Sequence, residues 1–221
     1  MTEYIALIPI LLFSVVVHEL AHGWVANRLG DPTAKAMGRL TLNPFPHIDL
    51  VGSIIVPLFS LLVAGRVFIA WAKPVPVNPM NFAHGRRDDV LVSVAGPFSN
   101  LLLAFGCTVA CIIVVLFSRA TNGAESLAGE ALRFLLTMFY GGISLNIVLA
   151  VFNLIPVPPL DGSHVLASVL PDDLADQYSR IGFLGIFVVL LLMRIPAFSA
   201  FFSTVVGGVA VPFRAMISIF L

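Results

Sequence analysis

Six apolar stretches, at residues 3–26, 48–70, 90–117, 132–155, 179–194 and 197–220, leave this chain little choice of fold. A helix needs about 20 mostly apolar residues to cross the ~30 Å of hydrocarbon in a bilayer, and these stretches reach or approach that length before Pro, Gly or charge ends them. Charged residues are only 11% of the 221 and hydrophobic ones 59%, so most of the outer surface has to face lipid. The polar stretches 27–47 and 71–89 are too short for an appended domain. The expected architecture is therefore an all-α polytopic membrane protein, one domain over residues 1–221. Its 12 basic and 12 acidic residues cancel, which excludes the basic footprint of a nucleic-acid binder. Cys107 and Cys111 lie four apart in an apolar run, neither a disulfide framework nor a CxxC pair. Glu3 stands where a cleavable signal peptide carries basic residues, so the first stretch is expected to stay as a span.

Within that first stretch the chain reads His18, Glu19, Leu20, Ala21, His22. Residues four apart share a helix face, so both imidazoles can reach one Zn²⁺, while Glu19 on the flank can contact a water beside the metal without being a ligand. Charged groups near the centre of a span cost about 2.5 to 3.5 kcal/mol each, whereas structural zinc returns on the order of 10 kcal/mol. Ionisable residues packed this closely in a span therefore point to a metal rather than to snorkelling side chains.

Two histidines leave a catalytic zinc short of one protein ligand. Far downstream, Asn153 to Gly162 reads NLIPVPPLDG. Three prolines within four residues end the fourth apolar stretch and leave free backbone polar groups at membrane depth, which is tolerated only beside a cavity. Asp161, at the end of this break, is the only acid between Glu130 and Asp172. Taken alone it reads as an N-cap for a following helix; beside the HExxH it reads as the third ligand.

With HELAH at 18–22, NLIPVPPLDG at 153–162 and Gly96, Pro97, Phe98, Ser99, Asn100 as a GPxxN, the chain resembles the site-2 protease family of intramembrane zinc metalloproteases. The resemblance covers a catalytic core of about 3–26 and 90–165, with C-terminal helices at 179–220 and without the PDZ or CBS domain of larger members. It implies one Zn²⁺ per chain on His18, His22 and Asp161, Glu19 as catalytic base, and Asn153 and Asn100 as substrate-binding or oxyanion groups. It further implies that the segments at 38–44 and 72–79 are short and strand-like beside the site, and that the substrate is a membrane protein cut within or near its transmembrane segment.

Parity constrains the topology. A zinc held by the C-terminal ends of the first and fourth stretches needs those two spans parallel, so one of the two intervening stretches must not cross. Residues 48–70, interrupted by Pro57 and Gly65 and flanked by cations, are the expected re-entrant hairpin. By the positive-inside rule the zinc site then faces the cytoplasm of what is expected to be a bacterial membrane, with nine cations inside (Arg28, Lys35, Arg39, Arg66, Lys73, Arg86, Arg87, Arg180, Arg214) and three outside (Arg119, Arg133, Arg194). The rival readings are a divalent-metal transporter and an inactive scaffold. No repeated polar helix or internal symmetry supports the first, and an intact Glu19 argues against the second.

Overall fold

The computed structural model describes residues 2–55, 72–120 and 127–220. Helices α1 (Thr2–Arg28), α2 (Thr33–Ala36), α3 (Gly85–Ala120), α4 (Leu127–Asn153), α5 (Gly162–Val169), α6 (Asp172–Ser179), α7 (Gly185–Arg194) and α8 (Pro196–Ser218) follow in order. Four of them, α1, α3, α4 and α8, are long and apolar enough to cross a membrane. Helix α3 has 36 residues and at 1.5 Å per residue exceeds the hydrocarbon thickness, so its polar first turn, with Arg86, Arg87, Asp88 and Asp89, projects beyond it.

Side-chain contacts fix the directions. His22 of α1 meets Val92 of α3 and His18 meets Asn100, so one numbering rises as the other falls; Asn100 in turn meets Asn146 of α4. Helices α1 and α4 are thus each antiparallel to α3 and parallel to one another, as the zinc argument required. Phe152 and Phe202 stack edge to face near the end of α4, and Ile217 lines a groove with Leu7 and Cys111 at the other end. Helix α8 therefore starts at the site end and leaves it.

Several expectations are corrected. The stretch 179–194 is no single span. Asp172, Asp173 and Asp176 keep α6 polar, Gly182 (φ +49°) turns the chain, and the ten residues of α7 reach only about 15 Å, so the pair is bent by 68°. Arg194 consequently lies at the site end and Arg214 at the far end, the reverse of the six-stretch expectation. No strand forms among the described residues. In 72–79 the prolines at 74, 76 and 79 supply no backbone donor, and three of the remaining donors go elsewhere: Lys73 N to His47 O, Val75 N to Glu19 and Asn78 N to Asp31. Of the expected hairpin, Leu50–Ile55 form a π-helical turn; residues 56–71 lie outside the described residues. Arg28 and Gly85, on either side of this connection, share the site end.

Candidate metal centre

The two histidines of α1 are 8% and 9% exposed and turn toward α3. His18 Nδ1 donates to Asn100 Oδ1 at 2.6 Å and His22 Nδ1 donates to Val92 O at 2.7 Å. The assignment follows from the partners: Asn146 Nδ2 donates to Gly142 O, so its Oδ1 faces Asn100 Nδ2 at 2.9 Å, which turns the Asn100 oxygen to His18. With both Nδ1 atoms protonated, both Nε2 atoms present lone pairs. They stand 3.1 Å apart, and Asp161 brings Oδ2 to 3.1 Å from the first and Oδ1 to 3.4 Å from the second.

Asp161 Oδ2 is buried without a hydrogen-bond donor. Three electron-pair donors converging without a proton between them repel unless a cation holds them. One donor atom from each of His18, His22 and Asp161 lies within 4.8 Å of the others, the only such group among the described residues. Two imidazole nitrogens and one carboxylate oxygen suit zinc and leave a coordination position open.

Two close approaches make this packing possible. A Cβ on Gly96 would fall 2.3 Å from His22 Nε2 and 2.6 Å from His18 Cε1, so only glycine lets α3 close over the imidazoles. A Cβ on Gly162 would fall 2.3 Å from Leu154 O, which is why the chain can fold back after the proline break and aim Asp161 inward. Asp161 occupies the residue before α5 but makes no capping hydrogen bond. Its carboxylate goes to the histidines instead.

Glu19 Oε2 accepts the Val75 N–H at 2.8 Å, so the connection 72–79 is strapped to the residue between the histidines. Together with His18, His22, Asp161 and Asn153, Glu19 lines a cavity of about 830 Å³ whose far wall is apolar, from Phe183, Ile186, Val189 and Leu190. Asn153 is on the cavity and turns Nδ2 back to Leu149 O at 3.0 Å. Asn100 is not. It is fully buried behind His18, where its oxygen is spent on the imidazole, so it holds that ring rather than facing the cavity.

Sequence reasoning missed the Val92 carbonyl, the Val75 amide and Asp31. The last is wholly buried between Thr33, Asn78 and Asn81. Burial alone would raise its carboxyl, but the hydrogen bonds, led by the Thr33 hydroxyl, hold it below the ordinary carboxylate range. It thereby pins 72–81 to the loop after α1. Asn146, a polar residue inside an apolar span, is readable in the sequence as an interhelical contact and meets Asn100 of α3; a backbone carbonyl or amide carries no such signal.

The model of peptidase family M50 matches residues 122–193. A Bacillus subtilis protein named as a zinc metalloprotease, YwhC, is 42% identical over 195 residues, covering 83% of this chain and 82% of its own. The chain belongs to peptidase family M50, the site-2 protease family. Rip2 of Mycolicibacterium smegmatis, also named as a zinc metalloprotease, is 28% identical over 196 residues, 88% of this chain and 69% of its own. No solved structure matches. This M50 peptidase is thus a zinc metalloendopeptidase and a multi-pass membrane protein.

Proposed function

We propose that this M50 peptidase, acting as a single membrane domain, holds one zinc on His18, His22 and Asp161 and hydrolyses a peptide bond within or near the transmembrane segment of another membrane protein. The observation that carries this reading is the convergence of two Nε2 lone pairs and an otherwise unpartnered Asp161 oxygen on one point, beside Glu19. When bound, zinc supplies Lewis acidity, lowering the pKa of a water toward ~7 and polarising the carbonyl under attack. Glu19, held at Oε2 by the Val75 amide, takes the water's proton and returns it to the leaving nitrogen. Asn100 and the Val92 carbonyl fix the tautomer and orientation of the two imidazoles. Asn153 stands where an extended substrate backbone passes along the cavity.

A helical substrate shields its carbonyls and must unwind first; the strap 72–79, on the cavity rim, is where it is received. Arg28 and Gly85, the helix ends that bracket the connection containing residues 48–70, both lie on the site side. Eight described cations (Arg28, Lys35, Arg39, Lys73, Arg86, Arg87, Arg180, Arg194) belong to the site end against three at the far end (Arg119, Arg133, Arg214), which favours a cytoplasmic site in a bacterial membrane like those of its relatives.

The test is Glu19→Gln, with zinc content and cleavage of a reconstituted single-span membrane protein measured on the same preparation. Zinc stays near one per chain and the cleavage rate falls by about 10²- to 10⁴-fold. Wild-type cleavage by Glu19→Gln removes the assigned base, and zinc flux across sealed vesicles without cleavage by the wild type makes the chain a transporter.

A further inference from the structure

We propose that Arg39 is a positioning residue for the catalytic base: through the Pro74–Val75 peptide it fixes the Glu19 carboxylate so that Oε2 is tied back and Oε1 is left for the water. The inference rests on the peptidase reading above. A trans peptide is planar, with its C=O and N–H pointing opposite ways. The N–H of this unit donates to Glu19 Oε2 at 2.8 Å, and its oxygen accepts from Arg39 Nη2 at 3.2 Å. One rigid group thus lies between a guanidinium, which never gives up its charge, and the carboxylate assigned as base. Hydrogen bonds in such a chain polarise one another, so the cation strengthens the hold of the amide on Glu19. Pro74 and Pro76 flank Val75, and they fix φ on both sides and bias Val75 to extended backbone, which leaves the peptide little freedom to turn elsewhere.

Arg39 stands behind the strap, off the metal cavity that Glu19, Pro74 and Val75 line. Gly38 (φ +65°) turns the chain at the end of α2, and the Arg39 N–H donates back to Ala34 O at 2.9 Å. Nη2 also donates to Lys73 O at 2.8 Å, while the Lys73 N–H goes to His47 O at 2.9 Å. A Cβ on Gly23, one turn after Glu19 on α1, would fall 2.7 Å from both Val75 Cγ1 and Leu40 Cδ2, so the side chains beside this peptide close on α1 at one point.

Anchoring the strap does not need a charge. His47 O, Asp31 and the Gly23 contact already hold it, and neutral donors would satisfy two carbonyls. Yet Arg39 is only 6% exposed, no carboxylate pairs with it among the described residues, and its Nε is buried without a partner. A buried cation left short of partners is costly, and one that served only the positive-inside bias would lie exposed, as Lys35 does. The opposite charge that Arg39 does reach, through a single peptide, is Glu19.

The experiment uses the zinc-loaded full chain in vesicles with a single-span membrane protein. Cleavage kinetics, zinc content and site-resolved hydrogen exchange are read on Arg39→Gln and Arg39→Lys, each alone and combined with Glu19→Gln. Arg39→Gln lowers kcat by about 10- to 100-fold, the scale of a misplaced group, and leaves KM within about twofold because the other strap anchors remain. Arg39→Lys, which keeps the charge and a donor, loses less. Zinc stays at the wild-type level, and the Val75 amide exchanges faster while the Asn78 amide on Asp31 does not. In the Glu19→Gln background the same Arg39 substitution costs less than about twofold, since the carboxylate it positions is gone. The full Arg39 loss in that background, a raised KM at unchanged kcat, loss of zinc or an unmoved Val75 amide overturns the proposal. If Arg39→Gln does not fold, the same cycle is read on Arg39→Lys. Wild-type cleavage by Arg39→Gln while Glu19→Gln is impaired sinks this inference alone; wild-type cleavage by Glu19→Gln sinks the reading beneath it.

Discussion

The two ends of the same bundle are held together by different physics. At the site end, α1, α3 and α4 are joined by directed polar contacts running from Asp161 through His18 and Asn100 to Asn146 and the Gly142 carbonyl. Toward the far end the same three helices and α8 meet through Ile10, Ala104, Cys107, Cys111, Ile143, Ile147, Ala210 and Ile217, with no charged group among them. In lipid, apolar packing has little hydrophobic drive behind it and rests on close fit, whereas a polar network is kept in place by the cost of leaving it unsatisfied. The far end should therefore tolerate changes that the site end does not.

The largest contrast comes from one substitution made at each end. In Gly96→Ala the new methyl falls 2.3 Å from the nitrogen that should hold the metal, on a ring fixed by Val92. We expect at least a 100-fold loss of zinc affinity and near loss of cleavage, since displaced ligands cost as much as missing ones. In Gly141→Ala the methyl meets the end of Leu7, 2.4 Å away, a flexible side chain that can turn aside. Stability should fall by about 1–3 kcal/mol or less, with zinc retained. Zinc titration and thermal unfolding of both variants decide it, and equal zinc loss would abolish the contrast.

A second pair separates packing from metal binding. Ile147→Ala, in the apolar cluster, should cost about 2–5 kcal/mol of stability and leave zinc affinity alone. Asn100→Ala should weaken zinc about 10- to 100-fold by freeing the His18 ring, a consequence no apolar deletion shares. A metal affinity unmoved in Asn100→Ala would remove that residue from the support of the site.

The smallest expected effect tests how the strap is anchored. Asp31→Asn replaces an acceptor facing the Asn78 and Asn81 donors with an amide, at a cost of about 1–3 kcal/mol in local opening. Because the Asp31 carboxyl is held low in the folded protein, its contribution is complete above the ordinary value of about 4 and is lost as pH falls through the lowered one. Hydrogen exchange of residues 72–81 should therefore quicken in the variant at neutral pH, and in the wild type only in acid. An acid response that Asp31→Asn retains would assign it to another group.

What could be read beforehand follows the same division. The spans α1, α3, α4 and α8 are set by long runs of apolar residues, a local property, and were legible within a few residues. HELAH and LDG stand out because each packs a pattern of candidate metal donors into a few positions, which the fold brings together, and the parallel arrangement of α1 and α4 followed from asking them to share one ion. The break at Gly182 was not legible by hydropathy, because a window over 179–194 averages away the acids just upstream and the turn itself. The strand-like reading of 72–79 failed on its prolines, whose neighbours' amides went to single acceptors on Glu19, Asp31 and His47. For Asn100 the sequence left an interhelical contact and a substrate-facing role both open, since its use depends on which helix it faces; it meets His18 and Asn146.

The central claim is that His18, His22 and Asp161 together hold the zinc, and X-ray absorption at the zinc edge on the purified protein tests it most directly. The account predicts one zinc per chain with two imidazoles at about 2.0–2.1 Å, the remaining scatterers oxygen and none sulfur, and a spectrum that changes or vanishes in Asp161→Ala. A third imidazole, a sulfur scatterer, or a wild-type spectrum in Asp161→Ala would contradict it.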